Sequence, residues 1–180
     1  MRPNASGGSL TLNQTRWCLA QKLRVNLLGV FYQIPLSESL ANANKQYGMY
    51  CSPLEASPET LSVAKAENLK YVAVIMRSVI DDMKMFIRPD TQVFFSAPSD
   101  SRIIRETDAG FRNCVKWTQE MLSIYGYFSG KADGVYEART KSAILRFQLA
   151  LGIYPDGTLT KDLLSLLTVP INAIRDFSAR

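Results

Sequence analysis

The sequence predicts an all-α protein, with a C-terminal three-helix bundle preceded by one long amphipathic helix and a connector. Three observations carry that prediction. Apolar residues recur at helical spacing from Leu61 to Ile87. Two Asp-Gly turns, Asp133-Gly134 and Asp156-Gly157, bracket one amphipathic pattern and have a further helical pattern on each outer side. Punctuating residues stand at the ends of these patterns: Pro58 at a start, Pro89, Gly126 and Gly152 at stops.

The chain has 180 residues, room for one domain or a small domain with an extension. A hydrophobic fraction of 47% is ordinary for a folded protein. The formal charge is +5. Much of the excess sits early, where Arg2, Arg16, Lys22 and Arg24 face one acid, Glu38, so the remainder is only weakly basic. Without a Lys/Arg cluster, nucleic acid is not an expected partner. The sequence contains no histidine. That removes the usual general base and the commonest metal ligand. Three scattered cysteines do not make a zinc site, so no metal and no cofactor is expected.

Residues 1–43 read as a signal peptide. A basic stretch, RWCLAQKLR, precedes an apolar run, VNLLGVFYQIPL, and a small-residue end at Ala41-Asn42-Ala43, with Asn44 as the mature start. The alternative is a buried amphipathic helix or strand of the fold. The run is too short for a membrane span of ~20 residues. Export removes Cys18 on this reading and leaves Cys51 and Cys114, which are then expected to form a disulfide in an oxidising compartment. Neither Cys18 nor Cys51 follows the small residues that a lipid-anchoring site requires.

Residues 44–110 form the expected N-terminal helical region, dominated by a long helix over about 58–88. Ser57 is its N-cap, Pro58 its first position, and Glu59 faces the positive end of the dipole. Leu61, Ala64, Leu69, Val72, Ile75, Met76, Val79, Met83, Phe86 and Ile87 make its apolar stripe. Arg88-Pro89 ends it. At 1.5 Å per residue it is roughly 45 Å long, more than a small bundle covers. Part of the stripe is therefore expected to meet the N-terminal segment or a partner helix. Residues 90–110 are a connector, with a short strand over Gln92-Val93-Phe94-Phe95. Val93, Phe95, Ile103 and Ile104 pack it on the bundle, and Asp108 caps the helix that follows.

The bundle occupies residues 111–168, and 169–180 form a tail. Val115, Met121, Leu122 and Tyr125 give its first helix an apolar face. The second starts near Glu137 and buries Ala143, Ile144, Phe147 and Leu151. Thr160 caps the third, which buries Leu163, Leu164 and Leu167. Each half runs helix, Gly stop, aromatic or aliphatic step, Asp-Gly turn, next helix, a weak internal repeat.

This ordered set resembles the type 1 peptidoglycan-binding domain, a small three-helix module of bacterial wall enzymes and envelope proteins, over about residues 113–167. The resemblance is carried by Tyr125-Gly126-Tyr127-Phe128-Ser129-Gly130, by Asp133-Gly134-Val135-Tyr136 with Thr140, by Ala143-Ile144-Leu145-Arg146-Phe147-Gln148, and by Gly152-Ile153 with Asp156-Gly157. Departures from the family pattern are Glu137 in place of glycine, Leu159-Thr160-Lys161 near the last helix, and Asp162-Leu163 after it. The resemblance implies non-covalent recognition of peptidoglycan by Tyr127, Phe128, Asp133, Tyr136, Arg139, Arg146 and Gln148. Aromatic faces suit sugar rings and methyl groups, and arginine suits peptide carboxylates. On the residues alone, Asp133 bonds its own turn, Tyr136 belongs in the core, and Gln148 braces a loop.

Together these readings give a non-catalytic exported protein of the periplasm or cell envelope, which positions its N-terminal part or an envelope partner at the wall. One alternative keeps the fold as a structural or protein-interaction module. Another is a wall hydrolase, for which Glu55, Glu59, Glu67, Asp81 and Asp82 are nominal carboxylates.

Overall fold

In the computed structural model, residues 8–31, 38–83 and 93–179 are described. They contain seven α-helices: α1 (Leu12–Phe31), α2 (Glu38–Tyr50), α3 (Pro58–Lys70), α4 (Val72–Met83), α5 (Phe111–Ile124), α6 (Ala138–Leu151) and α7 (Lys161–Ser178). Strand pairing among the described residues is limited to two isolated bridges, Leu10 with Ala56 and Ile103 with Thr160. The all-α expectation is met. The chain divides into two compact units, residues 1–79 with 169–180 and residues 80–168.

The first unit is built around α1. Its buried positions, Cys18, Leu19, Leu23, Leu27 and Leu28, recur at helical spacing, and α1 packs on both α2 and α3. Leu10, Cys18, Leu19, Cys51, Ala64 and Phe177 share one core cluster. Arg16 is ion-paired with Glu67 of α3, and its carbonyl accepts from Asn68 Nδ2 at 3.4 Å. Trp17 meets Tyr50 edge-on at 6.2 Å, and the Lys22 ammonium lies 5.1 Å from the Tyr47 ring. Within the segment read as a leader, α1 thus has a buried face, as in the alternative the sequence left open.

The disulfide joins Cys18 to Cys51, with Cα atoms 5.7 Å apart, and Cys114 is a free thiol. The expected Cys51–Cys114 bridge is therefore corrected. It presupposed that Cys18 departs, whereas α1 holds Cys18 inside the core beside the end of α2.

The long helix of the sequence reading is interrupted. Its start is as expected, with Ser57 Oγ accepting from the Thr60 N–H at 3.2 Å and Pro58 in the first turn. Tyr71 then leaves helical geometry at φ −104°, ψ 11° and separates α3 from α4. The expected end near Arg88 falls outside the described residues. Val72, Ala73, Met76, Val79 and Ile80 are buried, while Val63, Tyr71 and Val74 remain exposed.

The second unit contains the connector from Val93 onward and the helices α5 and α6 with the beginning of α7. Val115, Leu122, Tyr125, Ala143, Ile144, Phe147, Leu151, Leu163, Leu166 and Leu167 form its core. Leu166 takes the place expected for Leu164, which is only half-buried. Tyr125 stacks on Phe147 at 6.0 Å and donates to the Leu167 carbonyl at 2.6 Å, and its burial pushes the phenol pKa upward. Thr160 caps α7 as expected, accepting from the Leu163 N–H at 3.1 Å. Asp108 does not cap α5. Its carboxylate accepts from the Arg105 N–H at 2.7 Å, closing a turn in the connector, and Gly110 occupies the N-cap without a side-chain bond.

The expected strand at 92–95 is not formed at its described positions: Val93 and Phe94 make a helical turn, and Phe94 is buried. The expected tail is also corrected. Residues 169–178 continue α7 through Pro170, and Val169, Ala173 and Phe177 are buried in the first unit.

Candidate functional site

The two Asp-Gly turns of the second unit are held by one device used twice. From α5, the Gln119 amide donates to Asp133 Oδ1 at 3.1 Å and accepts from the Gly134 N–H at 2.9 Å. From α6, the Gln148 amide donates to Asp156 Oδ1 at 3.1 Å and accepts from the Gly157 N–H at 2.7 Å. Each aspartate also accepts from the N–H two residues on, Val135 at 3.0 Å and Thr158 at 2.9 Å. Both glycines have positive φ, 76° and 71°, and each lies against a long basic side chain two helical turns before the bracing glutamine. A Cβ on Gly134 meets Arg112 Cγ at 2.7 Å, and one on Gly157 meets Lys141 Cγ at 2.7 Å. Arg112, Gln119 and Lys141, Gln148 therefore correspond across the repeat. Gln119 escaped the sequence reading. The signal for it was the equal spacing of Gln119 and Gln148 behind Arg112 and Lys141.

Around the first turn, Arg139 gathers the neighbouring candidates. Its guanidinium pairs with Asp133 and with Glu137 Oε1 at 3.1 Å, and lies 5.4 Å from the Phe128 ring. The Asp133 carboxyl is held below the usual carboxylate range. The Val135 N–H is the largest cause, followed by the Gln119 amide, with the Arg139 charge adding to it. Phe128 is only 7% exposed. Glu137, the departure from the family's glycine, thus serves to orient Arg139.

Tyr127 and Arg146 form a second grouping. The Arg146 guanidinium donates to the Tyr127 carbonyl, and the Tyr127 ring meets Phe147 edge-on at 5.4 Å. Burial raises the Tyr127 phenol pKa, and the Arg146 charge offsets part of that. Tyr136 points elsewhere. Its hydroxyl donates to the Gly157 carbonyl and its ring meets Phe111 at 6.3 Å, which links the two turns. Burial, and secondarily the Asp156 charge, raise its pKa. Gln148 is 5% exposed with its amide committed to the second turn. Of the seven candidates, Tyr127, Arg139 and Arg146 keep a polar or aromatic edge at the surface, whereas Phe128 and Gln148 are frame.

Two of the nominal hydrolase carboxylates have structural places of their own. Glu67 is paired with Arg16 and Glu59 lies in the first turn of α3. No group of three metal-ligating side chains occurs among the described residues, and none of the described helices is long and apolar enough to cross a membrane.

Residues 112–167 match the family model described as "Putative peptidoglycan binding domain". The matched segment, which takes in both Asp-Gly turns, α5, α6 and the beginning of α7, is a domain of that class. The match stops short of the connector and of the whole first unit. No curated protein and no solved structure matches the chain significantly.

Proposed function

We propose that the protein is an exported, non-catalytic wall-binding protein. On this reading the second unit docks on peptidoglycan, and the first unit positions a further envelope component there. The family match over 112–167 carries the reading. Export is supported by the Cys18–Cys51 disulfide, a bond typical of oxidising compartments. The burial of Cys18, Leu19, Leu23 and Leu27 favours export with α1 retained, since cleavage after Ala43 strips these residues from the core. Tyr127 and Arg146 are the expected contacts on the loop face.

Co-sedimentation of the full chain with purified sacculi tests this. The wild type pellets with sacculi, and a Tyr127→Ala/Arg146→Ala double variant that retains its thermal transition loses most of that retention. A wild type that stays in the supernatant refutes the proposal.

A second reading, a protein-interaction module without wall binding, is favoured by one observation. Arg139 is consumed by Asp133 and Glu137, so the best-placed cation of the first loop is already neutralised. A chain that ignores sacculi and forms a stable dimer by light scattering fits that reading.

A further inference from the structure

A groove of about 740 Å³ lies on the second unit, beside the first Asp-Gly turn, and its lining includes neither Tyr127 nor Arg146. One side is the connector, with Ile104 and Glu106; the other is the start of α5 and the turn, with Phe111, Arg112, Val135 and Tyr136. The connector residues lie outside the matched family segment.

Two features define what it suits. The first is charge. Among the described residues of the second unit, the other arginines are satisfied: Arg102 by Asp162, Arg105 by Asp100, Arg139 by Asp133 and Glu137, Arg146 by the Tyr127 carbonyl. Arg112 alone among them has no ion pair or side-chain hydrogen bond. Its stem is nonetheless fixed, because Gly134 leaves the space that Arg112 Cγ fills. An arginine with a held stem and a free guanidinium is prepared for a carboxylate. The second feature is the apolar floor. Phe111 is half-buried against Tyr136, and Val135 is 45% exposed. That surface accepts methyl groups. Glu106 adds a negative group for an amine.

We propose that this groove binds the peptide stem of the wall polymer, a short peptide of small residues with free carboxylates, and that Arg112 pairs with one of those carboxylates. The proposal rests on the wall-binding reading and deepens it, by assigning the peptide to this groove and not to the Tyr127–Arg146 face.

The test uses the full chain in calorimetric titrations with three probes. These are a soluble stem tetrapeptide with free carboxylates, the same peptide with its carboxylates amidated, and a peptide-free wall oligosaccharide. The tetrapeptide binds the wild type, and Arg112→Gln weakens it about tenfold, the size of one charge-assisted pair. Amidation weakens binding to the wild type by the same factor and leaves Arg112→Gln unaffected. Arg112→Lys restores part of the loss, and an unchanged thermal transition shows that Gly134 still packs. Equal tetrapeptide affinity in wild type and Arg112→Gln overturns the proposal, as does preference for the oligosaccharide. If sacculi still pellet the protein in those cases, the wall-binding reading survives. Failure of sacculi to retain the wild type sinks both.

Discussion

The amide of Gln148 shows how one side chain sets a loop. It accepts from the Asp156 and Gly157 N–H groups and donates to Asp156, with only 5% of the residue exposed. Gln148→Ala leaves the buried Gly157 N–H without an acceptor, so it should cost about 2–3 kcal/mol of stability in urea unfolding. Gln119→Ala should cost a similar amount, because Gln119 also reaches Thr140 Oγ1 at 2.9 Å. Asp133 adds a pH dependence. Its folded pKa is depressed, so the unfolded chain takes up the proton more readily. The stabilisation is complete above the unfolded carboxylate value of about 3.9 and is lost as pH falls through the folded value. Stability of the second unit should therefore decline from about pH 5 downward, and Asp133→Asn should flatten that decline in denaturation measured at several acid pH values.

At the scale of elements, α1 and the Asp-Gly turns behave differently towards change. The turns rest on backbone conformation. Gly157→Ala places a Cβ at φ 71° and 2.8 Å from the Lys141 carbonyl oxygen, so it should cost more than about 1 kcal/mol, visible as a lowered melting temperature. α1 rests on packing and on its disulfide, which closes a separation of 33 residues. Reduction should lower the stability of the first unit by about 3–4 kcal/mol, the chain-entropy value for a loop of that size. Thiol counting in the native oxidised protein should then find the Cys114 thiol alone. The break at Tyr71 was not legible in the sequence, because the apolar periodicity runs through it unchanged and Tyr71 is neither Gly nor Pro.

For the whole molecule, the order of the chain and the division into units do not coincide. Residues 169–180 return to the first unit, where Val169, Ala173 and Phe177 are buried. Tyr47 meets Phe177 at 6.5 Å. Truncation after Thr168 should therefore destabilise the first unit while the 112–167 domain keeps its own transition, separable by calorimetry. A truncation that leaves both transitions unchanged contradicts this. The sequence places the far edge of the bundle at 168, where the second unit ends, while the burial of the residues beyond it follows only from packing.

The sequence by itself determined the all-α class, the helix starts at Pro58 and near Ala138, the Thr160 cap and the two turns. These depend on local chemistry: a capping oxygen, a ring-locked φ, a glycine at positive φ. It also determined the resemblance of about 113–167 to a wall-binding module, which the family match over 112–167 supports. The tertiary structure alone decided that α1 is core, that Cys51 meets Cys18, and that Arg139 is spent inside its own loop while Arg112 has no ion pair among the described residues. A short apolar run with basic flanks has the same composition whether it is removed or buried. A cysteine's partner and an arginine's counter-ion are set by which distant residues packing brings near, and that information is spread over the whole chain.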